Sequence, residues 1–202
     1  MEKSFVPVRL ATFNLDDVAA VRLEPRLDEP LRRAAEAMRT ATAPADVTAA
    51  VRTMYKRIGL DPTKTRPSSE ALLRRVRRGG ELPRINGLVD VVNWCSLESQ
   101  LPFGLYDADQ IHGRVDLRLG REGEEYAGIR KDTVHVAGRL VLSDDRGPFG
   151  NPTSDSARTM VTEATTRVLV AIFAPDSFPQ ATLDRVAATT KARLIEYCAA
   201  RR

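Results

Sequence analysis

A chain of 202 residues, 43% of them hydrophobic, has the length for one or two compact domains and the means to bury a sizeable core. Aromatics make up only 5%, so Leu, Val, Ile and Ala must supply most of that core, and the formal net charge of +4 suits a nucleic-acid binder and an ordinary protein equally. The two cysteines, Cys95 and Cys198, form no CxxC or other metal-ligand spacing and read as reduced, buried thiols, and no run of about 18 apolar residues is present to cross a membrane. Met1 to Val8 carries charge and a proline where a signal peptide would have an apolar core, so a cytoplasmic protein without membrane, metal or cofactor is expected.

In chain order, Val6, Val8 and Leu10 alternate with Pro7 and Arg9, the period of a short strand. Residues 29–41 are rich in helix formers, with Pro30 suited to a first turn. Residues 45–58 place Val47, Val51, Met54 and Ile58 at helical spacing, and Gly59 stops them. An irregular basic stretch bracketed by Pro62 and Pro67 leads to a short helix that Ser68 or Ser69 can cap; Leu72, Leu73 and Val76 face inward and Arg74, Arg75, Arg77 and Arg78 mostly outward. Asn86 caps a helix that is apolar nearly all round, which makes its polar Asp90 and Asn93 conspicuous, since buried polar groups need partners. From Ile111 the period becomes two: strands are predicted around Val115 to Leu119, Val134 to Val136 and Leu140 to Leu142. A polar loop, 143–162, precedes the apolar run 168–174, of a length for a central strand, and Pro179 opens a last helix to about Ala200. The prediction is an α+β fold with mixed β sheets and flanking helices: an N-terminal strand and helical part over 1–62, packed on or continuous with a main domain over 63–202.

Residues 83–125 contain VDVVN on the Asn-capped helix, Leu101-Pro102 before Tyr106-Asp107, then Asp109, Ile111, Gly113, a strand and REGEE. In that order they resemble the tRNA-interacting editing region, the third and fourth domains, of the phenylalanyl-tRNA synthetase beta subunit. The preceding GLDPTKTRPSSEALLRRVRRGGELPRIN and the later DSARTMVTEATTRVLVAIFA are similar to small standalone proteins of that family, whereas the first 50 residues carry no clear resemblance. The resemblance implies mixed sheets with flanking helices, a pocket for an amino-acid side chain, and contact with a charged tRNA end. No ATP-binding or adenylation module is present, so aminoacylation by this chain alone is not expected. Two positions depart from the family: its His before the aromatic-Asp pair is here Gly104, and the Thr before its Asn is here Val92, while the Asn is kept as Asn93.

Removal of an amino acid from tRNA is ester hydrolysis, which needs a positioned water and donors for the oxyanion but no triad. The richest polar cluster for this is the 143–162 loop. Gly147 and Gly150 can expose backbone N–H groups, and Asp155, Ser156 and Thr159 are the candidate catalytic residues, with Thr162 a further hydroxyl; the plain alternative is a turn whose side chains satisfy their own backbone. Asn93, Phe103, Gly104 and Gly150 are the candidate pocket residues, although Asn93 can equally tie its helix to a loop. Asp90 reads as structural, paired with an Arg such as Arg84; Trp94 reads as core, and His112 and His135 as isolated histidines. Arg74, Arg75, Arg77 and Arg78 are the candidate RNA contacts, against the plain reading of a solvated helix face. The partners expected are tRNA or aminoacyl-tRNA, with a free amino acid as the ligand of a noncatalytic module. The other reading is an RNA-binding domain without a working pocket.

Overall fold

The computed structural model describes residues 8–41, 45–130 and 132–200; Val6 of the predicted first strand lies outside them. The chain opens with strand β1 (Val8–Leu15) and runs through helices α1 (Asp28–Thr40), α2 (Ala45–Arg57), α3 (Ser68–Arg77) and α4 (Gly87–Ser99). Seven strands follow: β2 (Phe103–Asp107), β3 (Asp116–Leu119), β4 (Glu125–Ala127), β5 (Thr133–His135), β6 (Leu140–Asp144), β7 (Gly147–Gly150) and β8 (Val168–Pro175). Helix α5 (Gln180–Cys198) comes last. The fold is α+β.

Hydrophobic spacing explains the helices. On α2 and at the residue that follows it, Val51, Met54, Tyr55 and Ile58 keep helical spacing and are all buried. Gly59 ends this helix with φ of +81°, and a side chain there would meet the Gly138 carbonyl oxygen at 2.7 Å, so both the turn and the close approach require glycine. Asn86 caps α4 as its sequence position predicts, its Oδ1 accepting from the Val89 N–H at 3.0 Å. Neither Ser68 nor Ser69 caps α3: the helix begins at Ser68 itself, and Pro67 in the cap position provides no side-chain bond.

Three antiparallel sheets organise the rest. In the first, β8 lies between β1 and β2, and all eight of its residues are buried. The apolar run 168–174 is central, as its composition predicts, because it has a strand on either side while α2, packed against it, covers the sheet. α5 packs on β1 and α4, and α4 packs on β2. In the second sheet, β6 runs between β3 and β7, and the third is the β4–β5 hairpin. β6 joins two cores by alternation: Leu140 and Leu142 enter the main core, while Val141 packs with Tyr126 and Val136 in a small separate one.

Three strands lie where periodicity predicts none. β2 carries Gly104, β4 is three residues long, and β7 is GPFG within the predicted loop. β7 is an edge strand, and Pro148 is tolerated there because an edge needs no N–H on its outer side. At the end of β3, Leu119 is 40% exposed rather than core.

Candidate functional site

Side chains at alternate positions of a strand share a face, so Gly104 and Tyr106 of β2 point the same way. A Cβ built on Gly104 would overlap the Tyr106 hydroxyl, and so would one built on Gly150 of β7. The phenol therefore lies in a slot made by two missing side chains on two strands. Its ring packs edge-on against Phe149, with centroids 5.0 Å apart at 85°, and the residue is wholly buried. The Tyr106 hydroxyl faces the Asp155 carboxylate, and burial, with the Asp155 charge behind it, pushes its pKa well above the usual phenol range. The space beside Gly104, a candidate pocket residue, is filled by the protein's own tyrosine.

The loop after β7 is held by its own side chains and by two more tyrosines. Asn151 Oδ1 accepts from the Thr153 and Ser154 N–H groups, each at 2.8 Å, and its Nδ2 donates to the Tyr126 hydroxyl at 3.0 Å. Tyr126 donates to the Ser154 carbonyl at 2.6 Å, and Tyr55, from α2, donates to the Pro152 carbonyl at 2.7 Å. Burial raises the pKa of both phenols, and the Asp155 charge adds to that rise. Asp155 thus sits on a rigid loop with the three phenols of Tyr55, Tyr106 and Tyr126 around it. Just beyond it, Thr159 is fully buried and its hydroxyl has no hydrogen-bond partner. A buried hydroxyl left unbonded costs on the order of 1–3 kcal/mol, so Thr159 has hydrogen-bonding capacity that a ligand or water would satisfy.

Ser156 plays a local part: its Oγ accepts from the Arg158 N–H at 3.1 Å, starting a single helical turn. Arg158 then forks onto Asp144, with bonds of 2.9 and 3.0 Å, and also reaches the Gln110 carbonyl at 2.8 Å. The Asp144 side chain is wholly buried; burial alone would raise its pKa, but Arg158 and the amides of His112 and Arg146 outweigh that and hold it below the carboxylate range.

The sequence-predicted residues thus fall into groups. Gly104, Gly150 and Asp155 meet around Tyr106; Ser156 and Thr159 follow on the same loop; half-buried Phe103 neighbours Gly104 on β2, with its side chain on the alternate face. Asn93 is half-buried on α4 and makes no side-chain hydrogen bond among the described residues. Asp90 is paired with Arg84 at 2.8 Å and accepts from the Ile85 N–H at 2.7 Å, the structural role its sequence context predicts; burial still holds its pKa up. Trp94 has its ring face covered by the Arg193 guanidinium at 3.6 Å. Among the described residues no group of three His, Cys, Asp or Glu is arranged to hold a metal, and no helix is long and apolar enough to cross a membrane. Cys95 and Cys198 are free and buried, and burial pushes the Cys198 thiol up to about 12. Tyr55, Tyr106, Tyr126 and Asn151 are the site residues that sequence reasoning missed; for Tyr106 the available signal was a large aromatic two residues from a strand glycine.

The four basic residues of α3 are not equivalent. Arg75 donates to the Glu81 carbonyl at 2.6 Å, and Arg77 crosses to the Ala41 carbonyl at 3.1 Å beyond α1. Arg66, Arg74, Arg75 and Arg78, with Ala71 and Gly80, line an open groove of about 370 Å³.

Comparison with known proteins defines the class that these features belong to. A family model described as the B3/4 domain matches residues 50–193, so the chain belongs to the B3/4 domain family. The phenylalanine–tRNA ligase beta subunit of Cutibacterium acnes is 35% identical over 106 residues, which are 52% of this chain and 12% of that protein. The corresponding subunits of Cupriavidus pinatubonensis (34% over 76 residues, 37% of this chain and 9% of that protein) and Neisseria meningitidis serogroup B (31% over 113 residues, 51% and 14%) are also similar. The chain therefore spans only a small part of the curated relatives it matches. A crystal structure of an N-terminal fragment of the phenylalanyl-tRNA synthetase beta subunit from Pyrococcus horikoshii aligns with a TM-score of 0.46 at 16% identity, covering 57% of this chain and 42% of that one.

Proposed function

We propose that this B3/4 module acts in the cytoplasm, where it binds the aminoacyl end of tRNA and hydrolyses mischarged esters. The observation that carries this reading is the half-buried Asp155 carboxylate, on a hydrogen-bonded loop, facing the buried Tyr106 phenol of β2, with the buried Thr159 hydroxyl four residues further along the chain. A carboxylate inside a ring of phenols is suited to the ammonium group of an aminoacyl ester, because the low-dielectric surroundings strengthen charge recognition. The Thr159 hydroxyl can donate to a developing oxyanion or hold the attacking water. Asn93 is a further candidate contact on α4, and Phe103 and Gly150 frame the slot.

A second reading, a noncatalytic binder of a free amino acid, is favoured by one observation. The place beside Gly104 holds the Tyr106 phenol, a hydroxyl whose raised pKa makes it a poor proton shuttle at neutral pH. A panel of charged tRNAs incubated with wild type, Asn93→Ala, Asp155→Asn and Thr159→Val separates the two. The hydrolase reading expects at least one ester to be cleaved well above background, with Asp155→Asn slowing that reaction about tenfold or more, a loss of about 1.4 kcal/mol. No cleavage of any ester, together with saturable binding of a free amino acid, establishes the binder instead.

A further inference from the structure

We propose that the groove lined by Arg66, Arg74, Arg75 and Arg78 is a phosphate-backbone site that receives the double-helical part of a structured RNA, apart from the Asp155 cluster. Four guanidiniums line this one groove, which has no acidic residue in its lining, so it is a local concentration of positive charge. The nearby carboxylate offsets only part of it: Glu70 pairs with Arg66 at 3.5 Å but is shared with Arg52 at 3.2 Å. Arg74 and Arg78 make no side-chain hydrogen bond or ion pair among the described residues, whereas Arg75 is anchored through Nε to the Glu81 carbonyl, with its terminal nitrogens projecting beyond that bond. An anchored arginine beside the unpaired Arg74 and Arg78 offers a fork for a phosphate, and every basic group in the groove is arginine, the side chain whose planar donors match phosphate two at a time.

The groove also indicates which form of nucleic acid it takes. It contains no aromatic residue, so it has no platform on which unpaired bases could stack, and single-stranded RNA would gain only charge contacts. A stem presents phosphates at fixed spacing with its bases hidden, which suits an open groove whose polar side chains are all arginines. Arg77, turned away to the Ala41 carbonyl, is outside this set, and Arg66 joins it from before the helix.

This inference rests on the reading of the chain as a tRNA-acting module, but its test does not use the ester site. Binding of bulk deacylated tRNA to the full chain is measured as a function of salt for wild type, Arg74→Gln/Arg78→Gln, Arg74→Lys/Arg78→Lys and, as a distant control, Arg185→Gln, with thermal melts confirming that each folds. The glutamine pair should make the log–log salt slope shallower by about 1.8, the lysine pair should keep most of it, and Arg185→Gln should keep all of it. Oligo(U) of similar length should bind at least tenfold more weakly than tRNA at moderate salt. An unchanged slope in the folded glutamine pair overturns the groove, and equal binding of oligo(U) overturns its assignment to a stem. Either result leaves ester cleavage by the Asp155 cluster standing, while loss of cleavage in Asp155→Asn with an unaltered slope shows the two sites to be separate.

Discussion

At Gly104 a single missing Cβ decides what the neighbouring strand can hold. The Tyr106 hydroxyl occupies the space that any larger residue at 104 would need, and Gly150 bounds it from β7. Gly104→Ala should therefore cost about 1–3 kcal/mol by overpacking. In a Tyr106→Val background the same substitution should cost almost nothing, because the clash is gone. Denaturant unfolding of the four proteins in this cycle checks the contact directly; additive costs would show that the slot does not exist in solution. Tyr106→Phe tests the hydroxyl itself. The Asp155 carboxylate beside that hydroxyl predicts a loss of about 1.5–3 kcal/mol in the variant, whereas no loss, or a gain, would show the hydroxyl to be unpaired in solution.

Among the elements, α4 connects the most of the molecule, packing on α1, α3, α5 and β2. It begins at a buried Asn86 cap, and its Asp90 ties Arg84 to the start of the helix while Arg84 also reaches the Glu24 carbonyl at 2.7 Å. Loss of the cap in Asn86→Ala should cost about 1 kcal/mol, seen as a lower denaturant midpoint with an unchanged slope. A glycine at the same place, which tolerates the cap geometry, should recover most of that loss. The same helix shows why Asn93 was harder to place than Asp90. Asp90 lies near an arginine only six residues away, so its pairing follows from local sequence; anything that Asn93 contacts must come from another element, and helical spacing alone does not say which.

For the whole molecule, the Arg158–Asp144 pair closes the 3-10 turn at Ala157–Thr159 against the end of β6 and so steadies the candidate site from behind. Because the folded pKa of Asp144 is depressed, its contribution to stability is present above the ordinary carboxylate range and is lost as pH falls through the depressed value. Arg158→Met leaves the carboxylate buried without its cation and should cost about 3 kcal/mol at neutral pH, with a smaller penalty in acid where the carboxyl is protonated. Unfolding curves from neutral pH down into the acid range check this sign; a penalty that grows as pH falls would contradict the pairing. At this scale too, residues brought from 55, 106, 126 and 155 form one cluster, although they lie on a helix, two strands and a loop.

Sequence alone determined the helices α1 to α5, the Asn86 cap, the central β8 and the Asp90–Arg84 pair, because each follows from periodicity or from neighbours a few residues apart. It also carried the ordered motifs that place the chain in the B3/4 domain family. Tertiary structure alone decided the strands β2, β4 and β7, whose short segments, glycine-bearing in β2 and β7, gain their stability from partners elsewhere in the chain. It likewise decided which arginines line the groove, since the direction in which a long side chain leaves a helix end depends on which carbonyls lie within reach. The filled slot at Gly104 belongs with these: a glycine records only that a side chain is absent, and what enters the space is set by how two strands pack around a third residue.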